Sequence, residues 1–207
     1  MEIHLEQAGK KYIREWIFRG VSYTFRINEP VVILGANGSG KSTLLQVIST
    51  SLTNSEGKVR YMNQQTEIHP DKIYTHISYA APYLDLVDEF TLRESIQFHG
   101  QFKKWRNGLD EKGLIELSGL THAADKQLKY YSSGMRQRVK LLLAIMSDTA
   151  VVLLDEPCAN LDEQAKQWYG QLITSNMKDR IVIVCSNNEQ EEFFFCRHQL
   201  NIMDYKS

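Results

Sequence analysis

The chain has 207 residues, 43% of them hydrophobic, and a formal net charge of -1. That length and apolar content suit one α/β domain, or one domain with a lobe inserted. The near-neutral charge and the lack of a long Lys/Arg run argue against a nucleic-acid surface, and no stretch approaches the roughly 20 apolar residues of a membrane span. Met1-Glu2-Ile3-His4 does not read as a signal peptide, so a cytosolic location is expected. Cys158, Cys185 and Cys196 lack C-x-x-C spacing and are expected as free thiols in a reducing compartment. The six histidines are scattered without metal-ligand spacing.

In chain order, residues 3–6 alternate and predict a first strand, broken by Lys10-Lys11-Tyr12. Residues 21–27 also alternate, placing Val21, Tyr23, Phe25 and Ile27 on one face. Asn28-Glu29-Pro30 is a turn. Val31-Val32-Ile33-Leu34 is a short β-branched run that reads as a buried strand. Gly35-Ala36-Asn37-Gly38-Ser39-Gly40-Lys41-Ser42-Thr43 follows, and residues 42–48 then carry apolar side chains at helical spacing. Residues 57–62 and 73–79 are further strand candidates, and residues 63–71 between them are a loop or hairpin tip.

The nine residues from Gly35 to Thr43 match G-x-x-x-x-G-K-[ST] at a strand-to-helix turn, where a phosphate-binding loop belongs. Gly35, Gly38 and Gly40 are expected to take positive φ and let backbone approach a ligand. Successive N–H groups then form an anion nest, backed by the positive end of the helix dipole. Lys41 can reach β- and γ-phosphates, and the Ser42 hydroxyl can ligate Mg²⁺. The pattern points to a nucleoside triphosphate.

Beyond Thr91 helical patterns take over. Residues 91–105 predict a helix capped by Thr91, residues 110–117 a second, and Ser132 or Ser133 begins a third that runs through Met146. Residues 151–154 are a buried strand ending in Asp155-Glu156-Pro157, residues 162–176 a helix, and residues 181–185 another buried strand. Residues 189–197 predict a helix with Glu189 to Glu192 on a charged face and Phe193-Phe194-Phe195 on a buried one, and residues 200–203 a last strand. Alternating strands and helices with wholly apolar strands imply a parallel sheet covered on both faces. The expected organisation is a single α/β domain with a core at 1–90 and 148–207 and a helical lobe at 91–147.

An acid pair at the C-terminal end of a buried strand sits where open α/β sheets place ligand chemistry. Asp155 is positioned to hold Mg²⁺, directly or through water, which leaves Glu156 to orient and polarise an attacking water. Ser132-Ser133-Gly134 opens a helix and offers a second anion-binding N-terminus; alone it reads equally as an ordinary N-cap.

The order of these motifs resembles that of the ATP-binding cassette (ABC) ATPases over nearly the whole chain. Residues 35–43 match the Walker A motif, residues 151–156 the Walker B motif with its glutamate, residues 132–136 look like a variant of the L-S-G-G-Q signature, and residues 159–162 look like the D-loop. Tyr12 lies where the family often has an aromatic that stacks on adenine. The resemblance implies a P-loop NTPase core with a parallel sheet, N-terminal antiparallel strands and an inserted helical lobe. It also implies a head-to-tail dimer, homo- or heteromeric, with each ATP between one subunit's P-loop and the other's signature, driving an integral membrane transporter subunit encoded separately. ATP and Mg²⁺ are the implied ligands, no nucleic acid is expected, and the chain would sit peripherally on the cytoplasmic face of the membrane. Its end at Ser207, soon after the last strand, argues against an appended regulatory domain.

In the signature-like stretch Ser133 and Met135 replace Gly and Gln, and two further positions depart from the family pattern. Residues 77–82 stand where the family usually ends in Gln, and Pro82 falls at that position without an amide to offer. Asn187 stands where the family usually has His; it can hydrogen-bond a γ-phosphate but cannot carry a proton. ATP binding is therefore expected to survive, with hydrolysis slower or partner-dependent. Tyr83, Leu84, Leu86, Val87 and Phe90, set among three acids, read either as a socket for a basic amphipathic helix of a membrane subunit or as a loop packing on its own core. The alternatives to a transporter ATPase are an ATP-binding switch with weak hydrolysis and a non-transport ABC ATPase.

Overall fold

The structure is a computed structural model that describes residues 1–206. In chain order it contains strands β1 (Glu2–Tyr12), β2 (Glu15–Arg26) and β3 (Val31–Leu34), helix α1 (Lys41–Ile48), strands β4 (Glu56–Asn63), β5 (Thr66–Ile68) and β6 (Ile77–Ala80), then helices α2 (Leu92–Gly100), α3 (Glu111–Ser118) and α4 (Ser133–Met146). Strand β7 (Val151–Asp155), helix α5 (Glu163–Asn176), strand β8 (Ile181–Ser186), helix α6 (Gln190–Phe193) and strand β9 (His198–Asn201) complete it. The strands form an antiparallel sheet in the order β2-β1-β4-β5 and a parallel sheet in the order β6-β7-β8-β3-β9.

Side-chain alternation along the parallel strands divides the core in two. On β7, Val152 and Leu154 join the cluster that packs on α4 and α5, while Val151 and Leu153 join the cluster shared with α1 and the antiparallel sheet. All four are fully buried, and each such aliphatic side chain contributes about 1.5–3 kcal/mol. Both faces being covered explains why β3, β7 and β8 are apolar along most of their length.

Helix starts follow local chemistry. Thr91 caps α2 with a full capping box to Glu94, and Asp110, Ser132 and Asp162 cap α3, α4 and α5. One buried cation sits where α4 and α5 end. The Arg180 guanidinium is 1% exposed and donates to the carbonyls of Thr149, Ile145, Ser147 and Asn176 and to the Thr149 hydroxyl. It thus satisfies last-turn carbonyls of both helices, without a carboxylate. Desolvation lowers its pKa to about 9.

Several elements depart from the sequence expectation. Lys10-Lys11-Tyr12 do not break β1; register shifts between Leu5 and Lys11 absorb an irregularity, with Gln7 at φ 50, and pairing with β2 continues to Tyr12. Pro70 opens a 3-10 turn over Pro70–Thr75, so β6 is confined to Ile77–Ala80. Helix α2 ends at Gly100, short of Trp105. Helix α6 is a single turn, and its faces are not divided as the pattern suggests: Glu192 is 2% exposed and Phe194 57%. Strand β9 pairs at His198–Asn201, and Ile202–Tyr205 form a 3-10 turn. Among the described residues, no helix is long and apolar enough to cross a membrane.

Candidate active site

The site lies at the C-terminal ends of β3, β7 and β8. Parallel register places Leu34 beside Ser186 and Asp155 beside Cys185. The loop after β3, the acid pair after β7 and Asn187 after β8 therefore leave the sheet on the same edge. Asn187 is exposed and shares a shallow hollow with Gly35, Ala36 and Asn201.

The loop from Gly35 to Gly40 is shaped by two close approaches. Gly40 takes φ 102 at the N-cap of α1, and a Cβ there would lie 2.5 Å from Ile17 Cγ2. Only glycine meets both demands. Gly38 is also left-handed, with open space on the side a Cβ would occupy. Gly35 does not take positive φ, contrary to expectation. Its constraint is steric, because a Cβ would lie 2.5 Å from Ser39 Oγ. Lys41 is buried and turned back on the loop, donating to the Gly35 carbonyl at 2.8 Å and the Ala36 carbonyl at 3.2 Å. It is thus held by two weak neutral acceptors that a phosphate oxygen outcompetes.

Asp155 is the most telling side chain. It is 1% exposed, and neither carboxylate oxygen closes a hydrogen bond. Desolvation raises its pKa; the neighbouring Ser42 hydroxyl opposes that shift, Glu156 adds to it and Lys41 opposes it. A buried carboxylate without partners is costly, and its two free oxygens beside a serine hydroxyl are an all-oxygen donor set of the kind Mg²⁺ takes. The residues present therefore fit Mg²⁺, with Ser42 and Asp155 as the groups that would hold it.

Glu156 is partly exposed and sits at φ 42, the left-handed region. Its N–H donates to Cys185 O at 2.9 Å and its carbonyl accepts from Ala159 N at 3.0 Å. These two bonds hold a turn that carries the carboxylate off the end of β7. Beneath that turn, the Glu192 carboxylate accepts from Cys158 N at 3.2 Å while its second oxygen has no partner. Burial raises the Glu192 pKa to about 7.

The remaining predicted residues lie on other elements. Ser132, Ser133 and Gly134 open α4, where Ser132 Oγ accepts from Met135 N at 3.2 Å. They meet the 159–162 loop: a Cβ on Gly134 would lie 2.8 Å from the Asn160 carbonyl, and buried Gln137 donates to Pro157 O at 3.0 Å. Tyr12 ends β1 at the tip of the first hairpin, 48% exposed, with the Lys10 ammonium 5.2 Å from its ring centroid.

Sequence pattern points to Pro82 at the corner after β6, but the residue whose side chain approaches the site there is Tyr83. Its hydroxyl is hydrogen-bonded to that of Tyr79 and lies beside Gln46 and Asp155. The only sequence signal was a hydroxyl one position beyond Pro82. Farther out, a groove between β6, α2 and α4 is lined by Tyr74, Tyr79, Leu84, Leu86 and Leu143. Tyr83, Leu84 and Val87 are exposed, whereas Leu86 packs against the core, so residues 82–90 are part surface and part core.

A phosphate-type loop, a partnerless buried acid at the next strand end and a helical insertion between them define a P-loop nucleotide-binding α/β domain. The profile of the ABC transporter family matches residues 18–159, which include the loop, the helix opening at Ser132 and the acid pair, and the chain belongs to that family. It is 23% identical over 205 residues to the linearmycin resistance ATP-binding protein LnrL of Bacillus subtilis (strain 168), covering 98% of this chain and 66% of that protein. It is 31% identical over 193 residues to the cytochrome c biogenesis ATP-binding export protein CcmA of Chelativorans sp. (strain BNC1), covering 91% of this chain and 92% of that one. Among solved structures, a dimeric post-hydrolysis state of an ATP-binding cassette bound to ADP and Pi superposes with a TM-score of 0.82 at 21% identity, covering 97% of this chain and 94% of that one. The fold is that of an ABC ATPase cassette.

Proposed function

We propose that the chain is the ATP-binding and ATP-hydrolysing subunit of an ABC transporter, acting as a dimer on a separate membrane-spanning subunit at the cytoplasmic face. The observation that carries this reading is Asp155, a buried carboxylate with two unpaired oxygens beside Ser42. Gly35, Ala36, Asn37, Gly38, Ser39, Gly40, Lys41, Ser42 and Thr43 form the triphosphate cradle, and Tyr12 offers a face to the adenine. Bound Mg²⁺ supplies charge neutralisation at the phosphate oxygens. Lys41 exchanges the Gly35 and Ala36 carbonyls for phosphate oxygens, a charge-assisted contact stronger than either it gives up. Glu156 orients the attacking water and accepts its proton, and Asn187 donates its amide to the terminal phosphate.

Ser132, Ser133 and Gly134 open α4 against the 159–162 loop, and their role is to complete the site of a second subunit from the far side of the triphosphate. Helices between 91 and 147 form a lobe that carries this surface, and the groove beside Tyr79 and Leu84 receives the membrane subunit. Its interior is apolar, and its cations are occupied: Lys140 donates to Pro82 O at 2.7 Å and Lys103 to Tyr74 O at 3.0 Å.

The test is Mg-ATP turnover by the purified chain beside Lys41→Ala and Glu156→Gln, with dimerisation followed by light scattering. Turnover in the wild type alone, with an ATP-stabilised dimer of Glu156→Gln, is the expected result. A second reading, an ATP-binding switch with vestigial hydrolysis, draws on the non-ionisable Asn187 beside the loop. Wild-type turnover no faster than that of Glu156→Gln would select it.

A further inference from the structure

The peptide group that follows Glu156 and Pro157 is gripped from both sides. Its oxygen, on Pro157, accepts from Gln137 Nε2 at 3.0 Å, and its N–H, on Cys158, donates to Glu192 Oε1 at 3.2 Å. Gln137 comes from α4 and Glu192 from α6, and both side chains are buried. Proline has no N–H to offer, so Cys158 N is the first backbone donor after Glu156.

Glu192 is itself fixed. The fully buried Tyr169 hydroxyl, on α5, donates to the Glu192 carbonyl at 2.8 Å, and Glu192 N donates to Glu189 O at 3.0 Å. Glu189 N in turn donates to Ser186 Oγ at 3.1 Å, at the end of β8. On the same strand Cys185 O accepts from Glu156 N at 2.9 Å. The turn from Glu156 to Ala159 is therefore tied to β8 at its start and to α6 at its middle.

Glu156 needs such ties. A non-glycine residue at φ 42 is strained, and strain of this kind persists only where the surroundings over-determine it. A carboxylate is a costly side chain to bury beneath the turn: its second oxygen has no partner, and its pKa is raised to about 7. What it adds over an apolar side chain is a strong acceptor for one backbone N–H.

We propose that Glu192 is a positioning residue for Glu156: by holding Cys158 N opposite Gln137 on Pro157 O, it fixes the Pro157–Cys158 peptide plane, and with it the left-handed turn that aims the Glu156 carboxylate at the attacking water. The proposal rests on the reading of Glu156 as the group that orients that water.

The experiment uses the full chain as wild type, Glu192→Leu, Glu192→Gln, Gln137→Leu and the double variant of Glu192→Leu with Gln137→Leu, beside Glu156→Gln. Saturated Mg-ATP turnover, affinity for N-methylanthraniloyl ATP, thermal transition and hydrogen–deuterium exchange of residues 156–160 are measured for each. Glu192→Leu should lower kcat about tenfold, the weight of one hydrogen bond to a charged group. It should leave nucleotide affinity unchanged and speed exchange in residues 156–160. Glu192→Gln, a neutral acceptor about half as strong, should keep kcat within about threefold of wild type and exchange slow. The double variant should lose less than the product of the two single losses, because both act on one peptide group. A Glu192→Leu protein of normal thermal transition with wild-type turnover and exchange overturns the proposal. So does a Glu192→Gln protein as slow as Glu192→Leu, or a double variant whose losses multiply. Should Glu192→Leu lack a cooperative thermal transition, Glu192→Met takes its place under the same criteria. A wild type that turns over no faster than Glu156→Gln overturns the reading of Glu156 and this proposal with it, whereas a failure confined to the Glu192 variants overturns the role of Glu192 alone.

Discussion

Glu192 offers a stability experiment whose magnitude follows from its surroundings. Its carboxyl is buried beneath the Cys158 turn with one oxygen accepting from Cys158 N and the other unpaired. Burial raises its pKa from 4.5 to about 7, opposed in part by the neighbouring Ser186 hydroxyl and the hydrogen bond from Cys158 N. Below pH 4.5 the acid is neutral in both folded and unfolded chains and costs nothing. As pH climbs from 4.5 to about 7, the unfolded chain ionises first and stability falls. Above about 7 the full penalty is present. The gap between 4.5 and about 7, at about 1.36 kcal/mol per pH unit, amounts to about 3 kcal/mol. Glu192→Gln keeps the shape and an acceptor for Cys158 N and cannot ionise. The variant and wild type should therefore unfold alike in urea at about pH 4.5, and the variant should be more stable by about 3 kcal/mol at pH 8, a gain of roughly 6–12 °C in Tm. Parallel stability profiles from pH 4.5 to 8, or a variant weaker than wild type at pH 8, would refute the argument.

Three further outcomes follow from named contacts. Arg180→Met leaves the carbonyls of Ile145 and Thr149 buried without the guanidinium's N–H donors, whereas Ser147 O keeps its bond from Thr149 N; at about 1–3 kcal/mol for each orphaned group, the loss should exceed about 2 kcal/mol in urea unfolding, and a loss under about 1 kcal/mol would contradict it. Gly134→Ala should lower Tm even though alanine is favoured in a helix by about 1 kcal/mol, because the new Cβ would lie 2.8 Å from the Asn160 carbonyl; a rise in Tm would show that this contact yields freely. Thr91→Ala removes one half of the capping box on α2 and should cost about 1 kcal/mol in urea unfolding, with unchanged stability counting against a capping role.

What could be read from the sequence was what local chemistry determines. The loop from Gly35 to Thr43, the acid pair at 155–156 and the caps at Thr91, Asp110 and Asp162 depend on neighbours within four residues, and each stands at the predicted element boundary. The rest depends on partners far along the chain. Arg180 closes a Lys-Asp-Arg run that reads as a polar turn, yet its guanidinium fills a space made by residues 145–149 and 176. Glu192 belongs to an apparently charged face but folds inward because the Cys158 turn lies 34 residues away in sequence and adjacent in space. Lys10-Lys11 remain in β1 because β2 continues to pair there, opposite Phe18 and Trp16, and supplies pairing that local composition disfavours. Tyr83 was hidden for a related reason: the path of residues 81–83 decides which side chain faces Asp155, and no residue pattern encodes that path.

The backbone of Glu156 has a consequence for the history of such a chain under selection. A non-glycine residue at φ 42 carries a conformational cost, of order 1–3 kcal/mol, that glycine escapes and asparagine reduces. A library screened for heat resistance alone should therefore enrich Gly or Asn at position 156, and its survivors would be sturdier proteins with an idle site. A library screened for turnover should keep Glu there and accumulate its compensating gains elsewhere. Position 156 thus reports which of the two demands a lineage has met, and thermostability is a poor proxy for fitness in any attempt to improve this chain by evolution.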